Sequence, residues 1–510
     1  MKSNFLIVWS LLVISCSGIS QEVNLSIEYA LWNEDVTYLK KKVEEIVPQF
    51  KTSKNKVAFE KQYNNFLNRT KKTLGIGNVF ELQKILNTLG DEGCTIPLFQ
   101  KGLALEVLPI KTYWFNDGLY VLDAAPAYKE IVGEEIVKIN TTIPKETFKK
   151  VLSFLNADNN YYQKHLFQLY GFAPLLLKHV GLGASENEIV LQLASGKSVV
   201  VKAAPIENYA ELDRKLPNDG FFSHTNKNHS EENYWLEFIP NTKTLFIQLQ
   251  KIINNDKGDS FSDFIEKVEE YLNTEGVNKL IIDLRYGGGG NGFKLKKFTD
   301  LLKDSKKMNR KGNLFVLTSK ATRGSLVEFA SILSINTKAI LVGEPTAEGP
   351  NTVGDIKYIT LPNSGVKVSL THTLWPTSWK SDTTTFLMPS LSVIYNYQDK
   401  VNTTDPWLTK IQEYKSEELK EKIPKEVQEE IIGSYRIAGR RVTIERNKDQ
   451  LFFKMSRRMR SFFEINTELY FHSEGRLSTD IEGVFIKYEK KSDKIQPTVL
   501  QWKQVNVNIQ

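Results

Sequence analysis

The sequence predicts an α/β protein: a mainly parallel βαβ core, with an N-terminal helical segment and a β-rich segment before it and a small β domain after it. Three observations carry this. From 234 to 410, buried-strand runs alternate with helical runs, the pattern of a parallel sheet covered by helices. Ahead of that, apolar residues recur at helical spacing over 30–90 and at strand spacing over 103–204. Behind it, 425–510 returns to short alternating strands.

Length and composition agree. The chain has 510 residues, enough for about three domains at roughly 150 residues each. Hydrophobic residues are 41% and charged residues 25%, so each domain can bury a core. That excludes a disordered chain, a collagen and a membrane bundle. Lys and Arg number 67 against 60 Asp and Glu, a net +7 spread along the chain. A dedicated nucleic-acid binder needs concentrated Lys and Arg, so nucleic acid is not an expected partner. Two cysteines exclude a disulfide framework.

The elements follow in order. Lys2 is the only charge before Glu22, and Phe5 to Ile14 is apolar. This run is shorter than the roughly 20 residues that span a bilayer. A charged start, a short apolar run and small residues after it read as a secretory signal over 1–20. Two processing sites compete. Val13-Ile14-Ser15-Cys16 resembles a bacterial lipoprotein box, which would place a lipid anchor on Cys16. Gly18-Ile19-Ser20 before Gln21 fits an ordinary small-x-small cleavage. A buried opening strand or helix is the alternative, but no turn or amphipathic pattern accompanies the run. Export places the chain in the periplasm or anchored to the outer membrane of the cell envelope. Cys94 is then the only cysteine in the body of the protein, so packing must hold the fold.

Residues 22–100 form the helical region. Val36, Leu39, Val43, Ile46 and Val47 recur at helical spacing within Asp35 to Phe50. Asn78 to Leu86 repeats the pattern and stops at Gly90. Residues 101–205 read as strands at Leu103–Leu108, Leu119–Leu122, Glu135–Ile139 and Ser198–Val201, with a helical insert over 144–180. Tyr128 to Asn140 is similar to the central stretch of a PDZ domain, in which a Gly turn leads into a strand ending in Ile-Asn. Ser223 to Asn233 reads as a polar loop, and His224 and His229, five apart without an apolar helix, make a poor metal cage.

The core is placed at 230–412. Its strands are expected at Leu245–Leu249, Leu280–Leu284, Leu314–Leu317 and Ala339–Val342, its helices at Phe261–Leu272, Phe293–Leu302 and Leu326–Leu333. Leu361 to Val368 reads as a hairpin-like pair. The charged stretch Lys415–Glu430 reads as a connecting helix. Over 425–510, strands are expected at Arg441–Ile444, Leu451–Phe453, Leu469–Phe471 and Gly483–Ile486.

In a parallel sheet the loops at the strand C-termini carry the chemistry. Three such loops stand out. Asp283-Leu284-Arg285-Tyr286 runs into Gly287-Gly288-Gly289-Gly290-Asn291-Gly292. Glycines leaving a buried strand expose backbone N–H groups, which can hold a phosphate or a developing oxyanion. A phosphate loop fails, because Phe293 stands where a Lys is needed. The Gly-x-Gly-x-x-Gly spacing fits a dinucleotide turn, but the next strand ends in Thr318-Ser319 without an acid for the ribose. An oxyanion-binding turn or a plain turn remains. The second loop is Thr322-Arg323-Gly324-Ser325-Leu326-Val327-Glu328, where Ser325 opens a helix. A helix N-terminus favours negative charge, so Ser325 could act as a nucleophile. Ser-x-x-Glu before an apolar run is equally a capping box, with Glu328 reaching back. The third loop is Gly343 to Asn351.

These three segments, in this order and spacing, resemble the C-terminal-processing (tail-specific) serine protease family, on the exported bacterial branch related to the tricorn core protease. The resemblance covers 75–410, to Thr404-Asp405-Pro406-Trp407-Leu408. It implies that Ser325 is the nucleophile, with the amides of Gly288, Gly289 and Leu326 forming the oxyanion hole. It also implies a peptide or protein substrate. No cofactor or metal is expected, since no metal-ligand cluster or nucleotide loop survives inspection. Three departures stand out, two of them at the base and one in the glycine turn. Many members place a Lys in the segment matching Thr346 to Asn351, and there is none here. The tricorn-like branch uses a His where this chain has Cys94, and Gly287 replaces a usual Asn. His372 is the best-placed remaining imidazole by sequence. The resemblance thus implies a serine peptidase. The alternative is an inactive relative that binds a peptide or apolar ligand in the same cleft, and a third reading has the PDZ-like segment bind by strand addition.

Overall fold

The computed structural model describes residues 22–48, 50, 54–69, 75–103, 105–210, 212, 232–255, 258–274, 276–402, 404–415, 421–456, 463–491 and 494–510. The export segment with Cys16, and His224 and His229, lie outside the described residues. The chain forms two compact units. The first comprises the described residues of Met1–Glu231, Val353–Leu374 and Ile394–Asp405, the second those of Glu232–Thr352, Trp375–Val393 and Pro406–Gln510.

The first unit opens with three helices: α1 (Tyr29–Ile46), α2 (Lys54–Asn68) and α3 (Ile76–Asn87). Helix α1 buries Trp32, Val36, Leu39 and Val43 on one stripe, as the three-to-four spacing dictates. A hairpin follows, β1 (Ile110–Trp114) with β2 (Leu119–Ala124). Then β3 (Ile136–Ile139), β4 (Glu188–Leu193) and β5 (Ser198–Lys202) form a three-stranded antiparallel sheet. Between β3 and β4 lie α4 (Pro144–Val151), α5 (Asn160–Leu166) and α6 (Pro174–His179), the expected helical insert. Helix α7 (Ile206–Ala210) follows β5. Among the described residues of Leu103–Leu108 there is no strand, only a bridge from Val107 to Ala204. Pro109 lacks an N–H and interrupts the run, so the strand begins after it, at Ile110.

The second unit holds the α/β core. Its elements are β6 (Tyr234–Ile239), β7 (Thr244–Leu249), α8 (Phe261–Thr274), β8 (Lys279–Asp283), α9 (Leu295–Asp304), β9 (Leu314–Thr318), α10 (Ser325–Asn336) and β10 (Ile340–Gly343). The chain then enters the first unit through β11 (Asn351–Thr360) and β12 (Lys367–Pro376), which pair, and returns with β13 (Leu391–Ser392). A short helix of the first unit, α11 (Tyr397–Val401), precedes α12 (Pro406–Glu413) and α13 (Lys425–Glu430). The six-stranded sheet has the order β13-β10-β9-β8-β7-β6 and is parallel except for β6. All of β9 is buried, as an unbroken apolar run in a two-sided parallel sheet should be.

The C-terminal residues build β14 (Gly433–Ile437), β15 (Arg440–Asn447), β16 (Gln450–Met455), β17 (Ile465–Ser473), β18 (Arg476–Thr479), β19 (Val484–Lys491), β20 (Lys494–Trp502) and β21 (Val505–Asn508). Each pairs antiparallel with the next. The first strand also meets the chain end: Arg436 N donates to Gln510 O at 2.6 Å, and Gln510 N to Arg436 O at 2.8 Å. The sheet closes on itself, which removes its free edges. Its interior is filled by Val442, Phe453, Leu469, Ile486, Leu500 and Trp502 among others. This barrel shares its unit with the α/β core rather than standing apart. The reason lies in α10, whose residues Ser325 to Ile335 are all buried. Leu326, Phe329 and Leu333 pack in the sheet core, while Ile335 and Trp379 belong to the barrel core. A helix covered on two sides buries its whole circumference, here with Glu328, Ser331 and Ser334 among the apolar residues.

Candidate active site

The first loop is held rigidly at the end of β8. Asp283 is fully buried and grips Arg285 twice, Nε to Oδ1 at 3.0 Å and a terminal guanidinium nitrogen to Oδ2 at 2.8 Å. Arg285 also stacks over Trp407 at 5.0 Å. Thr322 Oγ1 donates to Leu284 O at 2.8 Å, and Ser319 Oγ to Arg285 O at 2.6 Å. Arg323 N donates to Gly287 O at 3.2 Å, tying the Gly bend to the loop that precedes α10. The third loop joins them: Ala347 N donates to Thr322 O, Trp407 Nε1 to Thr318 O and Thr318 Oγ1 to Glu344 O. All three loops lie at the C-terminal edge of the parallel strands, where the topology gathers reacting groups.

Gly289 sits at φ +84°, and a Cβ there would come within 3.2 Å of both Gly324 Cα and Ser325 N. Only glycine lets the two backbones approach this closely. Gly324 itself takes φ +60° and is the N-cap of α10, so Ser325 is its first helical residue. Ser325 is only 6% exposed, yet its Oγ has no hydrogen-bond partner among the described residues. A buried hydroxyl left unpaired costs about 1–3 kcal/mol, so such groups are rare outside sites that use them. The amides of Ser325 and Leu326, in the first helical turn, and of Gly289 find no acceptor among the described residues. Gly288 departs from expectation. Its N–H donates to Gln250 O at 2.8 Å, which removes it from the free donors.

The capping-box reading of Glu328 also fails. With Gly324 as N-cap, Ser325 is one position too late to cap, and no side chain caps the helix. Glu328 Oε1 instead accepts from Thr352 Oγ1 at 3.0 Å. A different acid, Glu348 in the third loop, accepts from Gly324 N at 2.9 Å. Beside Ser325 lies a cavity of about 30 Å³ lined by Gly292, Leu295, Lys296, Thr299, Asp300, Ser325, Glu328, Phe329, Ile332, Asn336 and Glu464. Among the described residues no imidazole lines it.

Cys94 and His372 belong to the first unit. Cys94 is fully buried, with Sγ 3.4 Å from Asp91 Oδ2 and 3.3 Å from Thr371 Oγ1. Burial, with the charge of Asp91 adding to it, pushes the thiol well above its ordinary range, so Cys94 is an inert packed group. Burial likewise raises Asp91 to about 6, against the opposing hydrogen bonds from Thr371 and Gly93. His372 is exposed on β12, with Nδ1 3.0 Å from Thr373 Oγ1. Among the described residues no group of three or more His, Cys, Asp or Glu could hold a metal ion, and no helix is long and apolar enough to cross a membrane. Sequence reasoning missed Thr352, Glu348 and the Asp283–Arg285 pair. The Asp-x-Arg spacing at a strand end signalled only the last of these.

Neither family models nor curated proteins match the chain. Solved structures do. Mature CPAF complexed with lactacystin matches at 12% identity over 75% of this chain and 97% of that chain, with a TM-score of 0.51. A serine-to-alanine mutant of CPAF matches at 10% identity over 77% and 99%, with a TM-score of 0.53. The chain has the CPAF fold. CPAF is thus covered almost end to end at very low identity, a likeness of architecture carried by few shared residues. The photosystem II D1 C-terminal processing protease matches at 13% identity over 72% of this chain and 92% of that chain, with a TM-score of 0.34.

Proposed function

We propose that the chain is an exported serine peptidase of the C-terminal-processing type, which hydrolyses peptide bonds with Ser325 as nucleophile. One observation carries the reading: a buried, unpartnered Ser325 hydroxyl at a helix start, packed against a Gly bend and flanked by unused amides. The fold shared with CPAF supports it. In this reading Ser325 Oγ attacks the scissile carbonyl. The oxyanion is received by the amides of Gly289 and Leu326, each such donor contributing about 3 kcal/mol. The positive end of α10 favours the same charge. A peptide or protein is the substrate and no resident cofactor takes part. Export by the N-terminal signal puts the enzyme in the cell envelope, either anchored through a lipid on Cys16 or released by cleavage before Gln21. The mass of the mature N-terminus tests this, since a start at Gln21 excludes the lipid.

A fluorophosphonate probe tests the nucleophile. Labelling of the wild-type chain that disappears in Ser325→Ala is the expected result. Absence of labelling and of peptide cleavage between about pH 5 and 9 would leave a ligand-binding role for the cleft. Lactacystin, which complexes with mature CPAF, is a second probe.

A further inference from the structure

A serine hydroxyl needs a proton acceptor to attack near neutral pH. Among the described residues no imidazole lines the cavity beside Ser325, and the Lys296 ammonium there is paired with Asp300. The groups around Ser325 supply another. Glu328 lies one turn further along α10, and residues three apart share a helix face. It is 8% exposed and lines the same cavity as Ser325. Gly292 sits against both: a methyl there would lie 3.2 Å from Glu328 Oε2 and 3.4 Å from Ser325 Cβ. The other oxygen, Oε1, is fixed by the Thr352 hydroxyl at 3.0 Å. A nucleophile, a base and a group orienting the base are the three parts of an activated serine. The cavity, about 30 Å³, is roomy enough to admit an ordered water.

We infer that Glu328 is the general base for Ser325, taking its proton through one water in the shared cavity, with Thr352 holding the carboxylate in place. The inference rests on the peptidase reading. As the Ser325 O–C bond forms, the carbonyl electron pair moves to the oxygen and the serine proton passes to Glu328. Glu328 then gives a proton to the leaving amine as the C–N bond breaks. In deacylation Glu328 takes a proton from the attacking water and passes it to Ser325 Oγ as the ester bond breaks. The other charged groups of the cavity wall are Lys296 with Asp300, paired to each other, and Glu464, which pairs with Lys303 at 2.7 Å. Glu348 faces the helix start through Gly324 N.

The test is the rate of fluorophosphonate labelling of the full chain against pH. The wild type should lose rate on acidification, with a limb that depends on residue 328. Glu328→Gln should label about 10²–10⁴-fold more slowly and lose that limb. Glu328→Asp should recover part of the rate with the limb restored. Thr352→Val removes a hydrogen bond to the charged form, so the limb should move to higher pH, a readout that stands even if Glu328→Gln fails to fold. Wild-type rates and pH profiles in the folded Glu328 variants, or an unmoved limb in Thr352→Val, would overturn the assignment and leave the nucleophile standing. A wild type that never labels overturns the peptidase reading and the base with it.

Discussion

Replacing Gly289 with alanine separates backbone strain from damage to the site. At φ +84° an L-residue costs roughly 1–2 kcal/mol before any contact is counted. The new methyl would also stand 3.2 Å from Gly324 Cα and from Ser325 N. Both are backbone atoms and cannot swing aside, so the start of α10 must shift by a few tenths of an ångström. Gly439 supplies the reference. It lies in the β14–β15 turn at φ +74°, and an added methyl there would meet nothing within 4 Å, so Gly439→Ala carries the strain alone. Urea unfolding should show a loss of about 1–2 kcal/mol for Gly439→Ala. For Gly289→Ala the loss should be about 2–4 kcal/mol, because crowding adds to strain. Fluorophosphonate labelling should fall by up to about 10²–10³-fold in Gly289→Ala, because the crowded bend carries its amide, which alanine retains, out of line with the oxyanion, and stay unchanged in Gly439→Ala. A folded Gly289→Ala that labels at the wild-type rate would refute the placement of this bend beside the reacting carbonyl.

Other outcomes follow from the same packing. Asp283→Asn leaves the buried Arg285 without its carboxylate and should cost about 3–5 kcal/mol by chemical denaturation. Asp91 is held at about 6 in the folded chain, above its ordinary value of about 3.9. Its neutral form therefore favours folding: the contribution of Asp91 to stability is fully present below about pH 4 and is lost as pH rises through about 6. The difference amounts to up to about 3 kcal/mol, and Asp91→Asn should flatten it in unfolding curves taken across that window. In a Cys16→Ser chain, the buried Cys94 thiol should ignore a disulfide reagent until denaturant is added. Cys94→His should not create a base but overpack a closed site, costing about 1–3 kcal/mol in thermal unfolding.

Much of the architecture was legible because burial writes itself into local pattern. The unbroken apolar runs at β8, β9 and β10 marked a parallel sheet, and the Gly-rich and Ser-led segments after them marked its C-terminal edge. The failures have physical causes. Leu103–Leu108 looks like a strand by composition, yet Pro109 stops the ladder. Ser-x-x-Glu looks like a cap, yet the helix begins with Gly324 as N-cap, and one residue of register turns Glu328 away from that role. Gly288 looks like its neighbour Gly289, but Gln250 O, distant in sequence, takes its amide.

The sequence alone determined the periodicity of each element, the order of strands and helices, and which residue types stand at the strand ends. These depend on side-chain burial and backbone freedom, which neighbours within a few positions encode. Only the tertiary structure decided which amides stay unpaired, that Thr352 grips Glu328, that Cys94 is sealed, and that β14 closes on Gln510. Each of these depends on a partner tens of residues away, or on the absence of one, and a hydrogen bond to such a partner leaves no local periodicity to read.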